Sequence, residues 1–159
     1  MFPAAYPHLL VAHSWVRWAV VALLAAVVVR AWRGRRARNA VWSALDERLH
    51  VALVAVADLQ LLLGLWLYTI SPFAQAFLSD PIANQKVRIL RFFGEEHIVM
   101  MLAAIAFVHV GRVRSRRSTD VTQRHRRVLA WTLAALIAVV ASVPWPYFPV
   151  ERPLFRPGA

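Results

Sequence analysis

Four long apolar stretches divide the chain, at 9–29, 49–70, 92–110 and 128–145. Each is close to the ~20 residues that span ~30 Å of hydrocarbon at ~1.5 Å per residue. Backbone groups in lipid must be paired within the segment, so each stretch is expected to be a helix. A helix of a soluble protein normally shows a polar face, and the run 19–29 has none. The pattern therefore predicts an all-α, four-helix transmembrane bundle, with the whole chain, 1–159, forming one domain.

The polar connections then set the expected orientation. The first carries Arg30, Arg33, Arg35, Arg36, Arg38 and Arg48; the second carries Arg112, Arg114, Arg116, Arg117, Arg124, Arg126 and Arg127. These thirteen are most of the 19 Lys and Arg residues. Short loops rich in Lys and Arg stay in the cytoplasm, so both termini and the 71–91 connection are expected outside. Trp15, Trp18, Trp66, Tyr68, Trp145 and Tyr147 would then gather near the outer edge, where amphipathic rings are favoured. Within the outer connection, 85–93 sets Val87, Leu90 and Phe93 against Lys86, Arg88 and Arg91. That spacing fits a short interfacial helix or a plain extension of the third span. Pro144 and Pro146 are expected to end the fourth helix, with the tail after Tyr147 extended along the outer face.

Composition supports the same picture. Hydrophobic residues make up 60% of the 159, well above a soluble domain. The net charge of +11 flanks apolar runs, so topology explains it and nucleic acid is not an expected partner. The absence of cysteine excludes disulfides, thiolate metal sites and covalent haem attachment. The first run is not a typical signal peptide, since its positive charges follow it. The expected location is the bacterial cytoplasmic membrane, with lipid as the immediate partner.

Polar groups inside hydrocarbon are costly, which makes the histidines informative. Counted from the inner boundary charges at ~1.5 Å per residue, His13 lies ~25 Å from Arg30 and His97 ~22 Å from Arg112. His50 and His109 lie ~3 Å and ~4–5 Å inside Arg48 and Arg112. An outer pair, His13 and His97, and an inner pair, His50 and His109, follow. Facing imidazoles in a helical bundle can supply both axial nitrogens of a haem iron, so one haem b, or two, is the sharp reading. The plain reading is that each histidine is a polar group near a headgroup boundary. His97 and His109 stand ~120° apart on the third helix, so the two pairs would have to address different neighbours. Met100 and Met101 with His13 could hold copper, although methionine in an apolar helix usually packs. His125 reads as a solvated loop residue, and His8 as a terminal residue able to substitute for His13.

Three segments carry a resemblance: His13-Ser14-Trp15-Val16-Arg17-Trp18, then the run 59–68 with Gln60, Gly64 and Tyr68, then Arg91-Phe92-Phe93-Gly94-Glu95-Glu96-His97 followed by Met100-Met101. Together they resemble a group of small bacterial four-helix membrane proteins described as cytochrome-b-like. The resemblance implies a b-type haem and electron transfer, with His13 and His97 as the matching histidines. Many members carry a histidine two places before the glutamine, where this chain has Asp58, so no ligand is implied in the middle of the second helix.

Arg17, Asp58 and Gln60 form a second polar constellation, ~20, ~15 and ~18 Å from the inner boundary. An Arg17–Asp58 ion pair is the simplest expectation, because a lone buried charge is expensive. The alternatives are a propionate contact for Arg17 or proton transfer by Asp58 beside a quinone. Glu96 could orient the imidazole of His97, or else stand with Glu95 as a solvated carboxylate at a helix N-terminus. The leading expectation is an electron-transfer protein, enzymatic only as a component of an oxidoreductase, relaying between a quinone or carrier and a membrane partner. A haem-free accessory subunit of a larger membrane complex is the alternative, and a small metal or solute transporter a third.

Overall fold

The computed structural model describes residues 4–145, and among these every regular element is helical. Helix α1 (Ala5–Arg36) has 32 residues and so runs about 48 Å, well beyond a hydrocarbon core. Its last turn carries Arg33, Arg35 and Arg36, which suit the negative end of the helix dipole. Helix α2 (Ala44–Ile70) begins at a capping box, in which Ser43 Oγ accepts from the Asp46 N–H and Asp46 Oδ2 accepts from the Ser43 N–H. Arg30 Nε donates to Asp46 Oδ1 at 2.6 Å, which fastens the end of α1 to the start of α2.

Three short helices follow: α3 (Pro72–Ser79), α4 (Pro81–Asn84) and α5 (Arg88–Arg91). Proline opens the first two, with Ser71 and Asp80 as side-chain caps. Helix α5 runs through a π-helical turn, Phe92–Glu96, into α6 (His97–Arg116). The residues expected to form one interfacial helix over 85–93 therefore divide: 85–87 are turn and the remainder extends the next long helix. Helix α7 (Val121–Ala141) starts at Asp120, whose Oδ1 accepts from the Gln123 N–H.

Helices α1, α2 and Arg88–Arg116 are long and apolar enough to cross a membrane. The chain is a multi-pass membrane protein. Helix α7 differs because Arg124, Arg126 and Arg127 fill its first turns, so its uncharged part begins only at Val128. The long helices pack in the cyclic order α1, α2, α6, α7, and the α2–α6 seam is the loosest. Leu24, Leu53, Val108, Val128 and Ala135 fill the centre. His13 on α1 and His97 on α6 thus stand on diagonal helices. Trp18 and Trp145 meet at 6.4 Å, while Trp15 and Trp66 are exposed. Pro146, Tyr147 and the tail lie outside the described residues.

Candidate functional site

Local chemistry fixes the two diagonal histidines in different ways. His97 is the first α6 residue after the π turn. A π turn inserts an extra residue, which re-aims the side chains that follow it. Tyr68 from α2 donates its hydroxyl to the Gly94 carbonyl at 2.7 Å, holding that turn. Gly94 is required because a Cβ there would run into the Phe77 side chain of α3. His97 Nδ1 then lies 3.0 Å from the Ser142 carbonyl oxygen just past α7. A carbonyl only accepts, so Nδ1 carries the hydrogen and Nε2 keeps its lone pair. Phe92 flanks the ring at 5.7 Å and Phe93 at 6.3 Å.

His13 is held by α2. Gln60 Nε2 donates to the His13 carbonyl at 3.1 Å and lies 3.1 Å from His13 Nε2. With the amide nitrogen as donor to both, Nε2 of His13 accepts and Nδ1 bears the hydrogen. That Nδ1 is buried without a hydrogen-bond partner among the described residues. Gly64, one turn beyond Gln60, lets the ring approach α2: a Cβ at 64 would stand 3.1 Å from His13 Cε1.

The two imidazoles come together. Their ring centroids are 6.5 Å apart with planes inclined at 69°. They line a mainly apolar cavity of about 170 Å³, with Arg17, Gln60, Tyr68 and Met101 also on its wall. The Arg17 guanidinium lies 5.3 Å from the Trp18 ring centre. Met100 is exposed on α6 and does not line the cavity that Met101 lines, so the two methionines do not share a site with His13.

Other expected groupings are replaced. No bond joins Arg17 to Asp58 among the described residues; Asp58 Oδ1 lies 2.8 Å from His109 Nε2. The reason is helical phase: Asp58 and Gln60 are two positions apart, about 200° around α2, so one meets α6 and the other α1. Glu96 does not orient His97, because its oxygens accept from Arg88 at 2.5 Å and Arg91 at 2.8 Å. Glu95 accepts from Gln85. His50 and His109 do not face one another. His50 is wholly buried, 6.5 Å from the Trp42 ring, whereas His109 is half exposed on the α2–α6 seam. His109 is level with Asp58, eight residues along α2 from His50, so the two histidines stand about 12 Å apart in depth.

His125 is not a solvated loop residue. It sits within α7, buried to 1% exposure, with Nε2 3.3 Å from the Val41 carbonyl and its ring 5.1 Å from Trp42. Gly34 of α1 makes room for it. The sequence signal was the spacing 125, 128, 132, 135, 139, one buried stripe along α7. Around it lies a polar cluster the sequence did not reveal. Glu47 accepts from Arg112, from Arg124 at 2.9 Å and from the Trp42 indole at 3.0 Å. His8 is exposed near the start of α1.

No protein-family model, curated protein or solved structure matches this chain. The functional reading therefore rests on the geometry of the site itself. Among the described residues, no three His, Asp or Glu side chains converge as a metal-ion cage would require.

Proposed function

We propose that the chain is a b-type haem-binding protein of the bacterial cytoplasmic membrane, with His13 and His97 as axial ligands, relaying electrons between a quinone or carrier and a membrane partner. The single observation that carries this reading is the 6.5 Å between the two ring centroids. Two imidazoles on opposite sides of one metal, each nitrogen at about 2 Å, hold their ring centres about 6 Å apart.

The donor set fits such a group. Two nitrogens are too few for a bare ion, yet they are what an iron already held by a macrocycle lacks. His97 is in the required tautomer because Ser142 fixes its Nδ1 hydrogen, the usual outer support of a metal-bound histidine. His13 is positioned by Gln60 through its carbonyl, a bond that survives when Gln60 releases the ring nitrogen. Arg17, on the cavity wall, supplies a cation for a propionate. The bound haem would supply one-electron redox chemistry; the chain orients the ligands and excludes water with an apolar wall.

The topology belongs to the same proposal. The segment 128–145, helix α7 from Val128 together with the residues just past its end, crosses as a fourth span, the arginines of α7 remaining on the cytoplasmic side with the 37–43 and 117–120 connections. Both termini then lie outside, and the His13–His97 cavity is in the outer half of the bundle.

The test is an absorption spectrum of the purified protein in detergent, oxidised and then reduced, with a haem assay. A low-spin b-type spectrum at one haem per chain is expected. His97→Ala should lose it or become five-coordinate. A folded wild-type protein, made with haem in ample supply and carrying none, would favour the haem-free accessory subunit instead.

A further inference from the structure

A membrane helix face that is wholly apolar needs no protein cover, but one bearing polar groups does. The α2–α6 seam bears such groups. Asp58 and His109 bridge it at 2.8 Å, and their side chains remain 44% and 46% exposed. Both lie within helices apolar enough to cross the membrane. On α6, Val99, Leu102, Ala106, His109 and Val113 form one exposed stripe. Its steps of three and four residues are those of a helix that packs along a partner in a left-handed coil.

We propose that this seam is the interface of a two-fold dimer of the chain, closed by Asp58 and His109 of both copies. The hydrogen bonding is self-complementary. The bond across the seam engages only His109 Nε2 and Asp58 Oδ1. It leaves the second ring nitrogen of His109 and the second carboxyl oxygen of Asp58 for a further bond, which forms when Nδ1 carries a hydrogen. A two-fold axis along the membrane normal preserves depth, and Asp58 and His109 are level because they are bonded. In the proposed dimer the second ring nitrogen of each His109 meets the second carboxyl oxygen of the other copy's Asp58, closing a ring of four groups. Lipid tails offer neither donor nor acceptor. An unrelated protein would need both at this depth in reversed order, which a second copy provides by symmetry. Ala106, one turn before His109, permits close approach of the helices. The inference does not depend on the haem.

The chain has no cysteine, so single cysteines report contacts cleanly. Ala106→Cys and Val99→Cys would be compared in native membranes with Ile137→Cys, on the exposed face of α7, after oxidation with lipid-soluble copper phenanthroline. The expected result is a homodimer band from both stripe variants, at least about tenfold stronger than from Ile137→Cys. Asp58→Ala or His109→Ala in the Ala106→Cys background should weaken the band about tenfold, the effect of losing two interhelical hydrogen bonds. Native mass spectrometry of the wild type in nanodiscs should give twice the chain mass. Stripe variants that cross-link no better than Ile137→Cys, that cross-link to a different protein, or a monomer mass in nanodiscs would overturn the dimer. The cysteine comparison leaves the polar pair intact, so it decides the matter even where Asp58→Ala destabilises the fold.

Discussion

The imidazole of His13 occupies the space that a side chain at position 64 would need: a Cβ on Gly64 would stand 3.1 Å from His13 Cε1. That distance is tighter than ordinary van der Waals contact, so any side chain at 64 would press on the His13 ring. Gln60, one turn earlier on the same face of α2, bonds the same histidine. Room and hydrogen bond come from one helical stripe.

Gly64→Ala is therefore expected to displace the His13 ring by a few tenths of an ångström and, on the proposed haem-binding function, to reduce haem retention. Gly64→Val should abolish retention while leaving helix content unchanged. The absorbance ratio of haem to protein, read beside far-ultraviolet circular dichroism, checks this. Full haem occupancy in a folded Gly64→Val protein would remove His13 from the site.

Asp58 answers to His109, not to Arg17. In a double-mutant cycle, Arg17→Ala and Asp58→Ala should be additive to within ~0.5 kcal/mol, whereas Asp58→Ala and His109→Ala should show coupling. Thermal or denaturant unfolding in detergent gives the four stabilities. Coupling between Arg17 and Asp58 beyond that margin would contradict the arrangement.

Gly94 and Tyr68 hold the π turn ahead of His97. Gly94→Ala drives a methyl group into Phe77 and is expected to cost about 1–3 kcal/mol. Tyr68→Phe removes one hydrogen bond and should cost about 0.5–1.5 kcal/mol. Both should speed proteolysis of the 71–91 connection, with Gly94→Ala the more sensitive. Equal cleavage rates in the wild type and Gly94→Ala would show that α3 docking does not depend on this contact.

Glu47 accepts charge-assisted bonds from Arg112 and Arg124 and a third bond from Trp42, drawing together α2, α6, α7 and the α1–α2 connection. The carboxylate is 38% exposed, which limits its worth. Glu47→Gln is expected to lower stability by about 1–3 kcal/mol, more than removal of the Asp120 cap at about 1 kcal/mol. Melting temperatures of the two variants in one detergent make the comparison.

Reporter fusions after Arg36 and Arg117 should be cytoplasmic, and a fusion after Asp80 external, as the arginine-rich connections require. An external reporter at either arginine-rich connection would reverse the topology.

Hydrophobic run length and charge position were enough to read the long helices from the sequence, because both act locally. The expected 9–29 and 49–70 fall inside α1 and α2, which extend further because arginine, alanine and glutamate continue a helix beyond the hydrocarbon. The 71–91 connection was less legible. Its helices α3 and α4 are short, begin at proline and owe their positions to contacts such as Phe73 on Phe93 at 5.7 Å. His125 reads as solvated because its neighbours are charged, whereas 3.6-residue periodicity places it on the buried face of α7 against Trp42, on which Arg124 also stacks.

The sequence by itself determined an all-helical membrane protein, the placing of its apolar helices and the level shared by His13 and His97, since length, period and charge are properties of a single segment. Only the tertiary structure decided which polar groups meet. Gln60 reaches His13 while Asp58, two residues away, reaches His109, and Glu96 turns to Arg88 and Arg91 instead of His97. Partners separated by 47 or 51 positions are selected by helix phase and by which helices are neighbours, and no stretch of sequence contains that information alone.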